Sequence, residues 1–350
     1  MAKRKAYKPR IKTKPPQMER PKSSRSPLWD LYRDGVTYSS LCKFDECPER
    51  YRKRVVEGWS ETGIQDGMEF GNAFHDCLEK IDTSPPEKTT VEYQQRRFAA
   101  GDLQSHQREE FEKLMAMVEG AVIGHRKYWS KDNESMTWVD RESQFDFPYS
   151  IDGVVLRVRG KIDGLYRDAR DGNRLWVFES KTKSEIDQEG LHRTLRQDLQ
   201  TMLYCLSVRE TRGEEASGVL YNVIRRPSIR PRKDESLAQF AVRVKEDYQA
   251  RPEFYFHRWE VALEPNDLEL WRTRMFDPLL RRVIQWWDSI KADPFNPWNS
   301  PYHWQKPFGM YNPMASGRRG SFFDYITSGS HTNLKQISTP FPELEPPNEK

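Results

Sequence analysis

The sequence predicts an α/β domain in which a small mixed β-sheet is flanked by helices and preceded by an N-terminal helical region. Three observations carry that reading. Helical spacing of apolar residues dominates positions 38–129, and strand character takes over at Trp138. A further helical run at 191–209 then separates two strand-like segments. A helix between strands is how neighbours in a mixed sheet are joined, so the order α, then β-β-β-α-β, fits this class.

Residues 1–27 read as a basic, flexible arm. Positions 1–26 hold ten basic side chains, Lys3, Arg4, Lys5, Lys8, Arg10, Lys12, Lys14, Arg20, Lys22 and Arg25, against the single acid Glu19. That segment is therefore +9, and the remaining chain carries −5 of the formal net charge of +4. Such an arm is drawn to nucleic acid, chiefly because phosphates release counterions when it binds. A solubilising or merely unstructured tail accounts for it equally well.

Residues 28–135 form the helical region. A helix begins at Tyr38, with Ser39 or Ser40 available as its N-cap, and Pro48 breaks its continuation. A loop with Gly58, Gly63 and Gly67 leads to the helix FGNAFHDCLEKI. Positions 83–90 read as a connector, and a long helical stretch from about 92 to 129 follows, interrupted weakly by Gly101, Gly120 and Gly124. Residues 136–296 hold strands at 138–147, 154–166 and 175–181, separated by Pro148/Gly153 and by the turn RDARDGN. After the helix at 191–209 come a strand at 218–224, a basic loop, a helix at 237–249, a strand at 254–262 and a helix at 265–292. Residues 297–350 read as an irregular segment ending in the loose tail PFPELEPPNEK.

Composition excludes several classes. With 36% hydrophobic residues and 11 Trp, general disorder is ruled out. No apolar run approaches the ~20 residues that span a bilayer, and no secretory signal opens the chain. A soluble, cytoplasmic protein without a membrane partner is expected. Cys42, Cys47, Cys77 and Cys205 form no CxxC pair and are too sparse for a disulfide framework or a closed zinc site.

The chemistry lies in two adjacent strands. In VVLRVRGKIDGLYRD, alternation puts Leu156, Val158 and Ile162 on one face and Arg157, Arg159, Lys161 and Asp163 on the other. In LWVFESK the same rule puts Leu175, Val177, Glu179 and Lys181 together. A seven-residue turn makes the strands antiparallel neighbours, so Asp163, Glu179 and Lys181 can cluster at one end of the hairpin. Carboxylates at the end of an apolar strand need compensation, which a divalent cation provides most directly and Lys181 in part. Ordinary solvent-facing acids paired with a lysine fit the same triplet. His75 lies off the centre of the apolar face of its helix, where a neutral imidazole completes a mixed His/carboxylate site or serves only packing. In LHRTLRQDLQTMLYCLSV, Leu195, Leu199, Met202 and Leu206 form the core stripe, while Arg196, Gln200 and Tyr204 form a polar one at i, i+4, i+8.

The ordered set GNAFH, GKIDGL, FESKTKS and QTMLY resembles the PD-(D/E)xK nuclease superfamily, and more narrowly the RecB-type exonuclease branch. That branch includes the RecB and AddB nuclease domains and CRISPR-associated RecB-like exonucleases. The opening YSSLCKFDECPERYRKRVV resembles its N-terminal helix, so the likeness spans residues 37–225. It implies a restriction-endonuclease-like core and metal-dependent hydrolysis of DNA in repair, recombination or phage DNA metabolism. It also implies roles: His75, Asp163, Glu179 and the Ser180 carbonyl as ligands of Mg²⁺ or Mn²⁺, and Lys181 as the catalytic lysine beside Asp163 and Glu179. Gln200 and Tyr204 would position DNA, and Glu142 stands where the branch often has an acid. Several members carry a four-cysteine iron–sulfur cluster with three ligands near the C-terminus. No cysteine follows Cys205 here, so no cluster is expected, and Trp298, Trp304, Phe308, Phe322 and Phe323 are expected to hold that end by packing.

DNA contacts are expected from Arg196 and from the basic loop with Arg225, Arg226, Arg230, Arg232 and Lys233, which would bind phosphates without reading sequence. The chain has no P-loop, so unwinding would come from a helicase or recombination partner. Two other readings remain: a catalytically inactive nuclease-fold DNA-binding subunit, and an unrelated scaffold in which His75, Asp163, Glu179 and Lys181 lie far apart.

Overall fold

The computed structural model describes residues 26–62, 66–101, 103, 107–187, 189–190, 194–296, 322, 325 and 330–344. A short strand β1 (Trp59–Glu61) is set apart from a five-stranded sheet made of β2 (Met136–Ile151), β3 (Val154–Asp168), β4 (Arg174–Lys183), β5 (Gly218–Arg225) and β6 (Phe256–Ala262). The sheet order is β2-β3-β4-β5-β6, antiparallel throughout except for the parallel pair β4–β5. This is the expected small mixed sheet flanked by helices. A last strand, β7 (Leu334–Gln336), pairs with β1.

Local chemistry explains the strands. Phe145, Phe147, Tyr149 and Ile151 are buried at every second position of β2, the alternation of a strand with one covered face. Asp152 and Gly153 close the β2–β3 hairpin with φ of 49° and 81°, the left-handed pair that a two-residue turn requires. Pro148 does not end the strand as expected. It lies inside β2 opposite Arg157, and β2 is an edge strand, where a missing N–H costs no ladder bond. β4 and β5 are buried at nearly every position between Leu175 and Ile224, as strands covered on both faces are.

The helices depart from expectation in their details. The Tyr38–Glu46 helix is capped by Thr37, not by Ser39 or Ser40, in a reciprocal capping box with Ser40. Pro48 opens a new turn, Pro48–Tyr51, at the position where its lack of N–H is harmless. The long stretch at 92–129 is two helices, Pro86–Ala99 and Gln107–Tyr128, because Gly101 (φ 71°) turns the chain out of helical geometry. The expected helix at 265–292 arrives as Asp267–Trp271, a π-turn Arg272–Phe276, and Asp277–Ile290. Pro278 cannot donate to the preceding turn, and the wider π-turn absorbs that loss.

The larger core joins the N-terminal helices, the Leu199–Arg212 helix and the Asp277–Ile290 helix to one face of the sheet. Phe44, Tyr51 and Trp286 meet edge to face within it, at centroid distances of 5.3–5.9 Å. The Asp66–Glu79, Gln107–Tyr128 and Leu237–Ala250 helices form a second cluster with Ile224 and Phe256. Part of the expected loose tail is docked: Phe341 and Leu344 are buried in the larger core, with Phe341 edge-on to Trp29 at 4.9 Å. Phe322 is buried, whereas Trp298, Trp304, Phe308 and Phe323 lie outside the described residues, as does the basic arm through residue 25. No helix among the described residues is long and apolar enough to cross a membrane.

His125, near the end of the Gln107–Tyr128 helix, is wedged edge-on against Phe74 and Phe256 and is 5% exposed. Burial first, and the nearby Arg258 second, lower its pKa from 6.5 to about 3 against the opposing bond to Asn222. The unfolded chain therefore takes up a proton below pH 6.5 that the folded protein refuses. Stability should be full above pH 6.5 and should fall as the pH drops toward 3, by on the order of 4 kcal/mol from this group. Denaturant unfolding at stepped pH measures it. His125→Gln should flatten that acid slope, and an unchanged slope would assign it to other groups.

Candidate metal centre and active site

The β3–β4 ladder runs from Asp168 opposite Arg174 to Gly164 opposite Phe178, and stops there. Beyond that point each strand follows a different neighbour. β3 stays paired with β2 down to Val154, and β4 stays paired with β5 through Lys183. The two strands part, and a side chain takes over where the ladder ends: Asp163 Oδ2 accepts the Ser180 N–H at 2.7 Å. The strict alternation expected for β3 holds through Ile162 and breaks here, so that Leu165 returns to the same core as Ile162.

Two further groups converge on Asp163. Glu142 on β2 lies between the pairs Arg141–Gly164 and Ser143–Ile162, and so stands level with it. Its backbone is left-handed (φ 52°), a conformation that costs a non-glycine residue on the order of 1 kcal/mol and is concentrated at functional sites. His75 comes from the Asp66–Glu79 helix, which buries Phe70, Ala73, Phe74, Cys77 and Leu78. That helix lies close to β4 because Gly71 has no side chain: a Cβ there would stand 3.2 Å from Thr182 Oγ1. His75 Nδ1 is 3.5 Å from Glu142 Oε1 and 3.6 Å from Asp163 Oδ2. Ligand atoms of His75, Glu142 and Asp163 all lie within 4.8 Å of one another, a spacing that one cation can bridge.

Glu179 is not in that trio. Its carboxylate is fully buried and pairs with the Lys181 ammonium two residues along the same strand face, and its Oε2 has no hydrogen-bond partner among the described residues. The Leu199–Arg212 helix covers this side. Asp198 caps it by accepting from the N–H groups of Gln200 and Thr201, and Gln200 Nε2 donates to the Tyr204 hydroxyl at 2.8 Å.

Not every expected residue joins the centre. Residues 191–193 lie outside the described residues, and the α-helix itself starts at Leu199, so Arg196 sits on an exposed 3-10 turn and the i, i+4, i+8 stripe keeps only Gln200 and Tyr204. Arg225 lies over the Phe254 ring, and Arg226 crosses the start of the His75 helix at Gly67. Three residues were missed. Lys161 Nζ stands 2.8 Å from Glu142 Oε2, and its place two residues before Asp163 on one strand was the available signal. Asn222 bonds the Ser180 hydroxyl and His125 behind the centre. A lone amide inside the apolar run GVLYNVIR marked it. His125 carried no local signal.

A family profile described as the PD-(D/E)XK nuclease superfamily matches residues 36–301. The chain belongs to the PD-(D/E)XK nuclease superfamily. No curated protein matches it. A solved structure named "Crystal structure of SSO0001" is similar at 12% identity, covering 66% of this chain and 85% of the other with a TM-score of 0.28.

Nucleases of this superfamily use divalent metals, and the charges of the centre fit one. Burial first, and the charge of Asp163 second, raise the Glu179 carboxyl to about 8 against the pull of Lys181. Burial also raises Asp163, with His75 opposing and Glu142 reinforcing. Glu142 is lowered despite burial, by His75 and Lys161. Burial pushes His75 down, but Asp163 and Glu142 outweigh it and raise the imidazole to about 9. Burial thus favours protons on Asp163 and Glu179, His75 and Lys161 keep Glu142 lowered, and His75 holds a proton that a divalent cation would replace.

Divalent cation affinity should therefore rise with pH toward about 9, because His75 must give up its proton to accept the ion. Titration calorimetry with Mn²⁺ in two buffers of different ionisation heat should report release of at least one proton at pH 7. Zero release, with affinity flat across pH 6–9, would contradict this account.

Proposed function

We propose that this nuclease is a metal-dependent deoxyribonuclease that hydrolyses phosphodiester bonds at DNA ends as a RecB-like exonuclease or end-processing enzyme. The observation that carries the reading is the His75–Glu142–Asp163 ligand trio beside the ion pair of the buried Glu179 with Lys181. An unrelated scaffold would have no reason to bring these residues together. A site decayed to pure DNA binding is disfavoured because none of the expected residues is replaced.

In this reading His75, Asp163, Glu179 and the Ser180 carbonyl hold Mg²⁺ or Mn²⁺, with Glu142 added by its position. The cation, when bound, acidifies water and neutralises charge on the phosphate. The chain's own residues do the rest. Lys181, kept as an ammonium by Glu179 and Asp163, orients the attacking water and stabilises charge on the phosphate oxygens. Lys161 fixes the Glu142 carboxylate, and Gln200 with Tyr204 fixes the wall that faces the scissile phosphate. Water adds to phosphorus as the P–O bond to the leaving oxygen breaks, and a proton passes to that oxygen. Arg196, Arg225, Arg226, Arg230, Arg232 and Lys233 contact phosphates without reading bases.

The reading includes no iron–sulfur cluster, since all four cysteines precede residue 206. A helicase or recombination protein would supply unwinding in the cytoplasm of a bacterial or phage-infected cell, during repair, recombination or phage DNA metabolism.

End-labelled linear DNA and closed circular DNA, incubated with Mg²⁺, Mn²⁺ or EDTA, test the proposal. Wild type should degrade linear DNA only with metal and spare circles. Lys181→Ala, its fold checked by circular dichroism, should lose about 10²–10³-fold or more in rate. Equal activity in the variant would remove Lys181 from the chemistry, and cutting of circles would replace exonuclease with endonuclease action.

A further inference from the structure

Asn222 lies on β5 inside the apolar run GVLYNVIR, and it is fully buried. A strand covered on both faces packs best with β-branched apolar residues, and an amide there costs free energy unless it is bonded. Its hydrogen bonds are therefore informative. Asn222 Oδ1 meets Arg258 Nε at 2.9 Å and His125 Nε2 at 3.2 Å, and Asn222 Nδ2 donates to the Ser180 hydroxyl at 3.0 Å.

The direction of that amide is set by Arg258. Its Nε can only donate, so the Asn222 atom that it meets must be the acceptor oxygen. Arg258 is fixed in turn by Asp132, whose Oδ1 accepts from its terminal nitrogen at 2.7 Å. The amide cannot turn over without setting its NH₂ group against the guanidinium, and so Nδ2 stays aimed at Ser180.

Ser180 sits where β4 is held least by its ladders. Past the Gly164–Phe178 pair β4 has lost β3 and keeps a strand partner on its β5 edge alone. Two side chains supplement that pairing at Ser180, which stands opposite Asn222 in register. Asp163 Oδ2 accepts the Ser180 N–H at 2.7 Å, and Asn222 donates to the hydroxyl. Alternation along the strand turns the Ser180 side chain to the face opposite Glu179 and Lys181. Ser180 is thus tied through its main chain to a member of the ligand trio and through its side chain to the far face of the sheet.

We propose that Asn222 is a positioning residue for the nuclease centre. By holding the Ser180 hydroxyl from the far face, it fixes the main-chain N–H on which the Asp163 carboxylate rests, and so aligns that carboxylate with His75 and Glu142. It lies across the sheet from the ligand trio and acts only through Ser180. The inference rests on the roles proposed above for Asp163, Glu179 and Lys181.

The test compares Ser180→Ala with Asn222→Ala. The first removes the held hydroxyl and leaves the main-chain N–H and the bonds of Asn222 to Arg258 and His125 in place. Titration calorimetry gives Mn²⁺ affinity, thermal unfolding gives stability, and linear DNA gives kcat and KM. Mn²⁺ affinity should fall about tenfold in each variant, the loss typical when a partner that orients a metal ligand is removed. The double variant should lose no more than Asn222→Ala alone, because the same tie is cut in both. At saturating Mn²⁺, kcat should fall about tenfold while KM for DNA holds, since neither side chain faces the strand. A lowered melting temperature with wild-type Mn²⁺ affinity is what a purely structural amide gives, and it overturns the proposal. So does a loss in Asn222→Ala that Ser180→Ala does not share, which would route the effect through Arg258 or His125. The nuclease reading fails separately. A wild type that binds Mn²⁺ but cuts no DNA removes that reading and leaves the affinity comparison to decide on Asn222, whereas a wild type that binds no Mn²⁺ overturns both.

Discussion

The parting of β3 from β4 is the constraint on which the centre depends. Each strand is held on its outer side, β3 by the antiparallel hairpin with β2 and β4 by the parallel pairing with β5. Their shared ladder can open only if something satisfies the backbone groups it exposes, because an unpaired buried N–H costs about 1–3 kcal/mol. Asp163 meets that need with a carboxylate oxygen on the Ser180 N–H. The same carboxylate lies 3.6 Å from His75 Nδ1, and so belongs both to the ladder and to the ligand cluster. One residue thus ties the architecture of the sheet to the chemistry of the nuclease.

Behind the opening, the sheet is braced by a polar network that crosses to its other face. Ser180 receives a bond from Asn222 Nδ2, and Asn222 Oδ1 accepts from Arg258 and His125. Ser180 and Asn222 are fully buried and pair in register across β4 and β5. Such a network is stabilising only when nearly every member is satisfied, and it then fixes one geometry. Glu179 and Lys181 flank Ser180 in sequence, so their strand is held from the far side while their side chains face the cluster. The ion pair between them keeps a fully buried carboxylate from standing alone.

Much of this was legible in the sequence. Alternation in GKIDGL and FESK placed Asp163, Glu179 and Lys181 at one end of a hairpin, and the short turn made the strands neighbours. The fold class followed from the order of helical and strand-like runs. What stayed hidden was set by contacts distant in sequence. Glu142 was named only by resemblance and gave no sign of its left-handed backbone; it joins the ligand trio from its place level with Asp163 across β2 and β3. The docking of Phe341 and Leu344 was equally invisible, since a short apolar pair among prolines looks like tail until a core is there to receive it. Arg196 was misplaced because Asp198 restarts the helix after a tighter turn, which shifts every residue before it.

The most direct test of the central claim is anomalous scattering from crystals grown with Mn²⁺. The account predicts a peak among His75 Nδ1, the Glu142 and Asp163 carboxylates and the mouth of the β3–β4 opening, at ~2.0–2.2 Å from its ligands, and its loss in Asp163→Asn. A cation bound elsewhere, or one that stays in place in Asp163→Asn with β3 and β4 still parted, would contradict it.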